Sequence, residues 1–312
     1  MIKGQNPSNF VRFERKSIII SLIITAFYFL FCFFVVEFRP DHFNLWLICF
    51  IGYYLHPLSR SFILGFAIFI LYWIIYDSMK AYPNYWFSEV RIREPYEIEK
   101  WLFGINSVNG VLTPNEYFLA NGSTFLDVLT GLFYINWMPL PLMFGVYLWI
   151  KDRFLLIQFS AAFFVVNLVG FVIYYTYPAA PPWYVQLYGF TENFNIPSNV
   201  AGLIKFDEYF GISVFQDIYS KGSNVFAAIP SLHSAYPMVV LFYAIKRKMG
   251  WVIVLFAVFV LGIWFSAVYT SHHYIIDVIL GAVCAVIGIW IFEKMILPSK
   301  IGTFLKQYSH RV

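Results

Sequence analysis

The sequence predicts an all-α protein, a polytopic bundle of about eight transmembrane helices. Of its 312 residues, 60% are hydrophobic, 22% aromatic and only 12% charged, far too apolar for an ordinary soluble domain. Apolar runs of membrane-crossing length recur along the chain. The basic residues are distributed with the asymmetry that membrane topology requires.

The first run, about 17–36, follows a basic N-terminal segment and imitates a signal peptide. It is roughly 20 residues long with no small-residue cleavage site after it, so it reads as a retained first span. Further runs follow at 43–56, 61–77, 129–150, 155–176, 232–245, 251–270 and 274–293. The second and sixth are short and read as half-spans or partly interfacial helices. Cys32, Cys49 and Cys284 lie inside these runs as small hydrophobes, so no disulfide framework is indicated.

With the N-terminus cytoplasmic, fourteen of the 21 basic residues fall inside, including the short turns Lys151-Asp152-Arg153 and Lys246-Arg247-Lys248. Both termini are then cytoplasmic and two long loops lie outside. The first, about 78–127, mixes aromatic residues with the charged stretch Glu89 to Lys100 and carries an Asn121-Gly122-Ser123 sequon. It reads as an amphipathic segment on the membrane surface. The second, about 177–230, opens with Pro178, Pro181 and Pro182, with Pro197 further on, a pattern expected to exclude helix. Three regions result: residues 1–128 with the N-terminal spans and outer loop, 129–295 as a catalytic helical core, and 296–312 as a cytoplasmic tail.

Two outward-facing segments carry the chemistry: Ile229-Pro230-Ser231-Leu232-His233-Ser234 and Ser271-His272-His273-Tyr274-Ile275-Ile276-Asp277. A lone histidine at a helix end is commonly an interfacial residue satisfied by water. Three ionisable groups gathered at consecutive spans are costly in a membrane and mark a site. Ser231 is a good N-cap, and the helix end it opens favours a phosphate oxygen, with His233 in the first turn as proton donor and acceptor. Ser231 and Ser234 are therefore candidate substrate contacts, although capping alone would account for Ser231. His273 and Asp277 are four apart, so on a helix they share a face, and Asp277 orients the ring while its free nitrogen attacks phosphorus. His272 fits that pairing less well and reads as a residue supporting the reacting pair from behind, or as an interfacial one. A facial triad of the two histidines and the aspartate is the metal alternative. No further carboxylate or cysteine lies nearby in sequence, and no metal or cofactor is expected.

Pro-Ser-Leu-His, together with Ser266, His273 and Asp277, resembles the second and third signature motifs of the type 2 phosphatidic acid phosphatase superfamily. The string Ala180-Pro181-Pro182-Trp183-Tyr184 and His272-His273-Tyr274 narrow the resemblance to the inositol phosphorylceramide synthases, over roughly residues 129–295. There are departures. Ala267 follows Ser266 where the phosphatase motif has arginine, and the first motif, a lysine six residues before Arg-Pro, is missing. Those cations clamp a terminal phosphate dianion, so their loss points to a phosphodiester. Lys221, Lys205, Arg91 and Arg93 are candidate replacements.

The resemblance implies a six-helix catalytic core. It also implies transfer of inositol phosphate from phosphatidylinositol to ceramide or a diacylglycerol-type acceptor through a phosphohistidine, releasing diacylglycerol. Tyr184 and Tyr274 join the expected substrate contacts. A lipid phosphate phosphatase and a non-catalytic lipid-binding or transport protein are the alternatives. The reacting phosphodiester is the same for choline, ethanolamine, inositol and glycerol head groups, so the residues themselves leave the head group open. No nucleic-acid partner is expected, and an accessory membrane subunit is left open. Small size and the lack of a eukaryotic targeting extension favour a bacterial inner membrane over the Golgi.

Overall fold

The computed structural model describes residues 11–108, 110–220, 222 and 224–312. Sixteen α-helices are present among them. In chain order they begin with α1 (Arg15–Phe31), α2 (Pro40–Leu55), α3 (Pro57–Gly65), α4 (Ala67–Ser78) and α5 (Arg93–Phe103). A small hairpin of β1 (Ile105–Ser107) and β2 (Gly110–Leu112) precedes α6 (Pro114–Ala120), α7 (Thr124–Tyr134), α8 (Pro139–Lys151) and α9 (Arg153–Thr176). Three short helices follow, α10 (Pro182–Tyr188), α11 (Ile204–Phe210) and α12 (Val214–Ser220). The last four are α13 (Leu232–Lys246), α14 (Val252–Tyr269), α15 (Ile275–Trp290) and α16 (Lys300–Ser309).

This is an integral membrane protein. Among the described residues, four segments are long and apolar enough to cross a bilayer: Arg15–Val36, Arg153–Thr176, Val252–Tyr269 and Ile275–Ile296. Two more arise if α3 with α4, bent by 51°, and Thr124–Trp137 with α8, bent by 46°, each make one crossing. The expected count of eight is therefore approximate. It requires α2 and α13 as well, which at 16 and 15 residues fall short of a full span.

The chain divides into two compact units. In the first, made of the residues up to Tyr82, Gly145–Phe164 and Lys294–Val312, polar contacts gather where apolar helices meet. Asp77 accepts from Arg39 at 2.7 Å and lies 3.0 Å from His42 Nε2. Trp149 donates to Ser61, and the Ser61 hydroxyl donates to Val312.

The second unit, Pro83–Phe144 and Val165–Glu293, holds the histidine segments. Its centre is α13 packed against α14 and α15. Close approach depends on small residues: a Cβ at Gly281 of α15 would fall on the Ser231 carbonyl, and one at Gly262 of α14 on the Phe133 ring. Tyr134, Phe206, Phe215, Ile263, Val268 and Val278 belong to one buried cluster.

The two long loops are joined by backbone pairing. Arg91 N–H donates to Pro178 and Ala180 N–H to Arg91, while Ala179 N–H donates to Phe226 and Ala228 N–H to Ala179. The second loop is not free of helix, as its prolines suggested. Pro182 opens α10 at the first position, where no intrahelical N–H is needed.

Candidate active site

The site is built from the N-terminal ends of α13 and α15. Ser231 caps α13, accepting from Ser234 N–H at 3.3 Å, and the Ser234 hydroxyl donates to Ser231 Oγ at 2.9 Å. Both serines are fully buried and bonded to each other, and Ser231 N–H donates to the Asp277 carbonyl at 2.9 Å. That last contact ties the two helix starts together. His233 follows as the second helical residue.

His233 Nδ1 lies 3.1 Å from His273 Nε2 and 3.3 Å from the Tyr134 hydroxyl, with the Trp137 ring edge-on at 4.6 Å. On its other side His273 presents Nδ1 to Asp277 Oδ2 at 3.5 Å, the two side chains being 6% and 0% exposed. The sequence therefore brings Asp277, His273 and His233 together in that order. The route differs from the one expected. His273 precedes the α15 cap residue Tyr274, so the pair is not formed by two positions on one helical face. The turn after α14 does it instead. Ser271 adopts φ 60°, and the Ala267 carbonyl accepts from both His272 and His273 N–H at 3.0 Å. Asp277 Oδ2 meanwhile accepts from Tyr274 N–H at 2.8 Å, while His273 Nδ1 and Asp277 Oδ1 have no hydrogen-bond partner among the described residues. Catalytic contacts of this kind commonly tighten when substrate binds.

Burial pushes the His273 ring down to about 4, so it is neutral with a free lone pair at pH 7. His272 is buried too, not interfacial. Its Nδ1 lies 3.0 Å from the Thr270 hydroxyl and its ring packs against Tyr134 and Tyr219. Burial holds it well below the usual imidazole range. Because His273 turns opposite nitrogens to His233 and Asp277, the three side chains do not converge on one ion.

Two residues of the 78–127 loop that the sequence did not single out, Asn115 and Glu99, hold this turn and the start of α15, and a third, Asn84, ties the loop to the end of α9 and to Phe226. Asn115 Nδ2 donates to the Val268 and His273 carbonyls at 2.7 and 2.9 Å. Glu99, fully buried, accepts from Ile275 N–H at 2.9 Å and Ile276 N–H at 3.1 Å, filling the free donors at the start of α15. Asn84 donates to Tyr174 and Phe226. The only advance signal was the polar content of that loop.

The remaining candidates are placed elsewhere in the unit's contacts. The Tyr184 hydroxyl donates to the Thr191 carbonyl and accepts from Asn193 N–H, pinning its own loop. Tyr274 caps α15 and is 1% exposed. Arg91 pairs with Glu89 and Glu94, Arg93 with Glu97, and Lys205 with Asp127. Lys221 lies outside the described residues.

A model of the PAP2 superfamily matches residues 112–291, which contain every residue of the Asp277–His273–His233 row. The chain belongs to the PAP2 superfamily. It is 42% identical over 282 residues to the phosphoinositol dihydroceramide synthase of Bacteroides thetaiotaomicron, covering 89% of this chain and 92% of that one. It is 29% identical to the inositol phosphorylceramide synthase of Candida albicans, over 81% of this chain and 53% of that one. To the inositol phosphorylceramide synthase catalytic subunit AUR1 of Saccharomyces cerevisiae it is 28% identical, over 80% and 61%. This PAP2 superfamily chain thus spans little more than half of the fungal proteins and nearly all of the bacterial one. No solved structure matches it. The resemblance read from the motifs and the family agree, and the chain is a phosphotransferase like these synthases.

Proposed function

We propose that the protein moves inositol phosphate from phosphatidylinositol to the hydroxyl of a ceramide-type lipid, through a phosphohistidine on His273. The names of the relatives support the head group and the acceptor. The observation that carries the mechanism is the row Asp277, His273, His233, with contacts of 3.5 and 3.1 Å.

As the phosphodiester enters, the His233–His273 contact opens and each nitrogen takes one reacting atom. His273 Nε2 attacks phosphorus, the bond from phosphorus to the diacylglycerol oxygen breaks, and His233 gives that oxygen its proton. Asp277 holds the ring and balances its positive charge. His233 then removes the proton from the ceramide hydroxyl, whose oxygen attacks phosphorus, and the phosphorus–nitrogen bond breaks to free His273. The burial of His273 and Asp277 keeps water from the intermediate and favours transfer over hydrolysis. Arg91, Arg93 and Lys205 all have carboxylate partners, which suits a singly charged diester better than a dianion. The basic turns support a reaction at the outer face, and the Bacteroides relative, matched nearly end to end, supports a bacterial inner membrane.

The test is purified protein in detergent with phosphatidylinositol labelled in the head group, with and without ceramide. A ceramide-dependent labelled lipid is expected, and without ceramide an acid-labile, alkali-stable label on the protein. Label released as inositol phosphate regardless of ceramide would overturn transfer in favour of hydrolysis.

A further inference from the structure

Tyr134 ends α7 among apolar neighbours. It is fully buried in the cluster with Phe206, Ile263, Val268 and Val278, surroundings that a phenylalanine would satisfy. A phenol hydroxyl placed there costs stability unless it is hydrogen-bonded, so its partner is informative. That partner is His233. The Tyr134 hydroxyl lies 3.3 Å from Nδ1, the same nitrogen that faces His273 Nε2 at 3.1 Å. The single turn that follows α7, Ile135–Trp137, brings the Trp137 ring edge-on to the same imidazole at 4.6 Å. One helix end thus supplies both the ring that packs on His233 and the hydroxyl that bonds it. His272 also packs on the Tyr134 ring, at 5.2 Å between centroids, but its Nδ1 is taken by the Thr270 hydroxyl.

Resting on the transferase reading above, we propose that Tyr134 is a positioning residue for the proton step, its hydroxyl donating to His233 Nδ1 whenever that nitrogen has given up its proton. The negative charge of the entering diester favours a His233 ring protonated on both nitrogens. His273 Nε2 then bonds to phosphorus, the bond from phosphorus to the diacylglycerol oxygen breaks, and that oxygen takes the proton from His233 Nδ1. Nδ1 is left with a lone pair. Its neighbour His273 Nε2 is now bonded to phosphorus and has no proton to offer, whereas the Tyr134 hydroxyl is a donor still within reach. Tyr134 keeps its own proton and supplies only the hydrogen bond, holding the ring until the ceramide hydroxyl returns a proton to Nδ1. Without that bond the lone pair forms unpartnered in a site of low dielectric, which raises the barrier to the phosphohistidine.

The test is Tyr134→Phe, which deletes the hydroxyl and keeps the ring. Formation of the phosphoenzyme is followed without ceramide from two donors that share a head group. In phosphatidylinositol the leaving oxygen needs a proton; in the p-nitrophenyl ester of inositol phosphate the leaving phenolate needs none. The ratio of the lipid rate to the aryl rate should fall about five- to tenfold in the variant, the worth of one hydrogen bond. A ring-fluorinated tyrosine at position 134, which keeps a donor of the same shape, should return the ratio to that of the wild type. A wild-type ratio in Tyr134→Phe, or a fluorinated protein with a ratio as low as that variant's, means that the residue acts through packing and overturns the proposal.

His233→Ala separates this role from the reaction it serves. Its ratio should fall further than that of Tyr134→Phe, because the proton donor itself is gone. An unchanged ratio in His233→Ala removes the proton step, and the proposal with it. If the ratio falls in both variants while no ceramide-dependent lipid forms, the transferase reading has failed and the role of Tyr134 stands.

Discussion

His273 carries the proposed reaction through a nitrogen whose basicity is set by its surroundings. Its neutral form attacks, and burial places the ring at about 4 against an ordinary 6.5, so acid must reach well below neutrality before the lone pair is lost. Loss of the His273 lone pair should therefore not limit the donor kcat/KM above about pH 5, and should lower it below that. A half-point near 6.5 would mean a solvated ring in the working enzyme. His273→Ala should abolish both half-reactions and the protein-bound label. Residual turnover without label would remove the covalent step. His233→Ala should be milder, slowing transfer by about 10²- to 10⁴-fold, as loss of a proton donor does. Asp277→Asn should leave folding largely intact and slow transfer, because an amide can hold the wrong tautomer and cannot balance the imidazolium. Wild-type rates in that variant would make Asp277 a structural residue. These three residues were legible because their motifs are short. Tyr134 and Asn115 were not, since they meet His233 and His273 across 99 and 158 positions of chain.

At the scale of elements, hydropathy marked the long helices but not the bends, because composition stays apolar where α3 gives way to α4 and α7 to α8. It also passed over α5, a charged and amphipathic helix whose buried residues are Pro95 and Glu99. Burial raises Glu99 to about 7 from 4.5, so the folded protein binds its proton more tightly than the unfolded chain does. Stability from this group is full at low pH and is lost as pH rises through about 7. The melting temperature of wild type minus that of Glu99→Gln should accordingly shrink between about pH 5 and 7.5, and a constant difference would show that the carboxyl does not titrate there. Gly281→Ala sets a methyl against the Ser231 carbonyl and should cost about 1–3 kcal/mol. It should lower activity as well, since α13 and α15 carry the two histidine segments. A variant as stable and active as wild type would mean that the helices separate freely.

For the whole molecule, the class was legible from composition and the orientation rests on the basic turns. In the loop that precedes α11, Glu192 is exposed and serves as a probe of sidedness. In a protein whose three cysteines are changed to alanine, Glu192→Cys should react with a membrane-impermeant thiol reagent in intact cells, and Lys248→Cys should react only after lysis. The reverse pattern would put the site on the cytoplasmic leaflet.

The bonds that join Glu99 to the start of α15, and Asn115 to the turn before it, have a bearing on inheritance. Two stretches far apart in the gene, 93–120 and 264–277, meet as donor and acceptor at one place. A recombinant that draws one stretch from this protein and the other from a distant relative would join halves shaped by separate histories. Crossovers within the second unit should therefore survive when both stretches come from one parent.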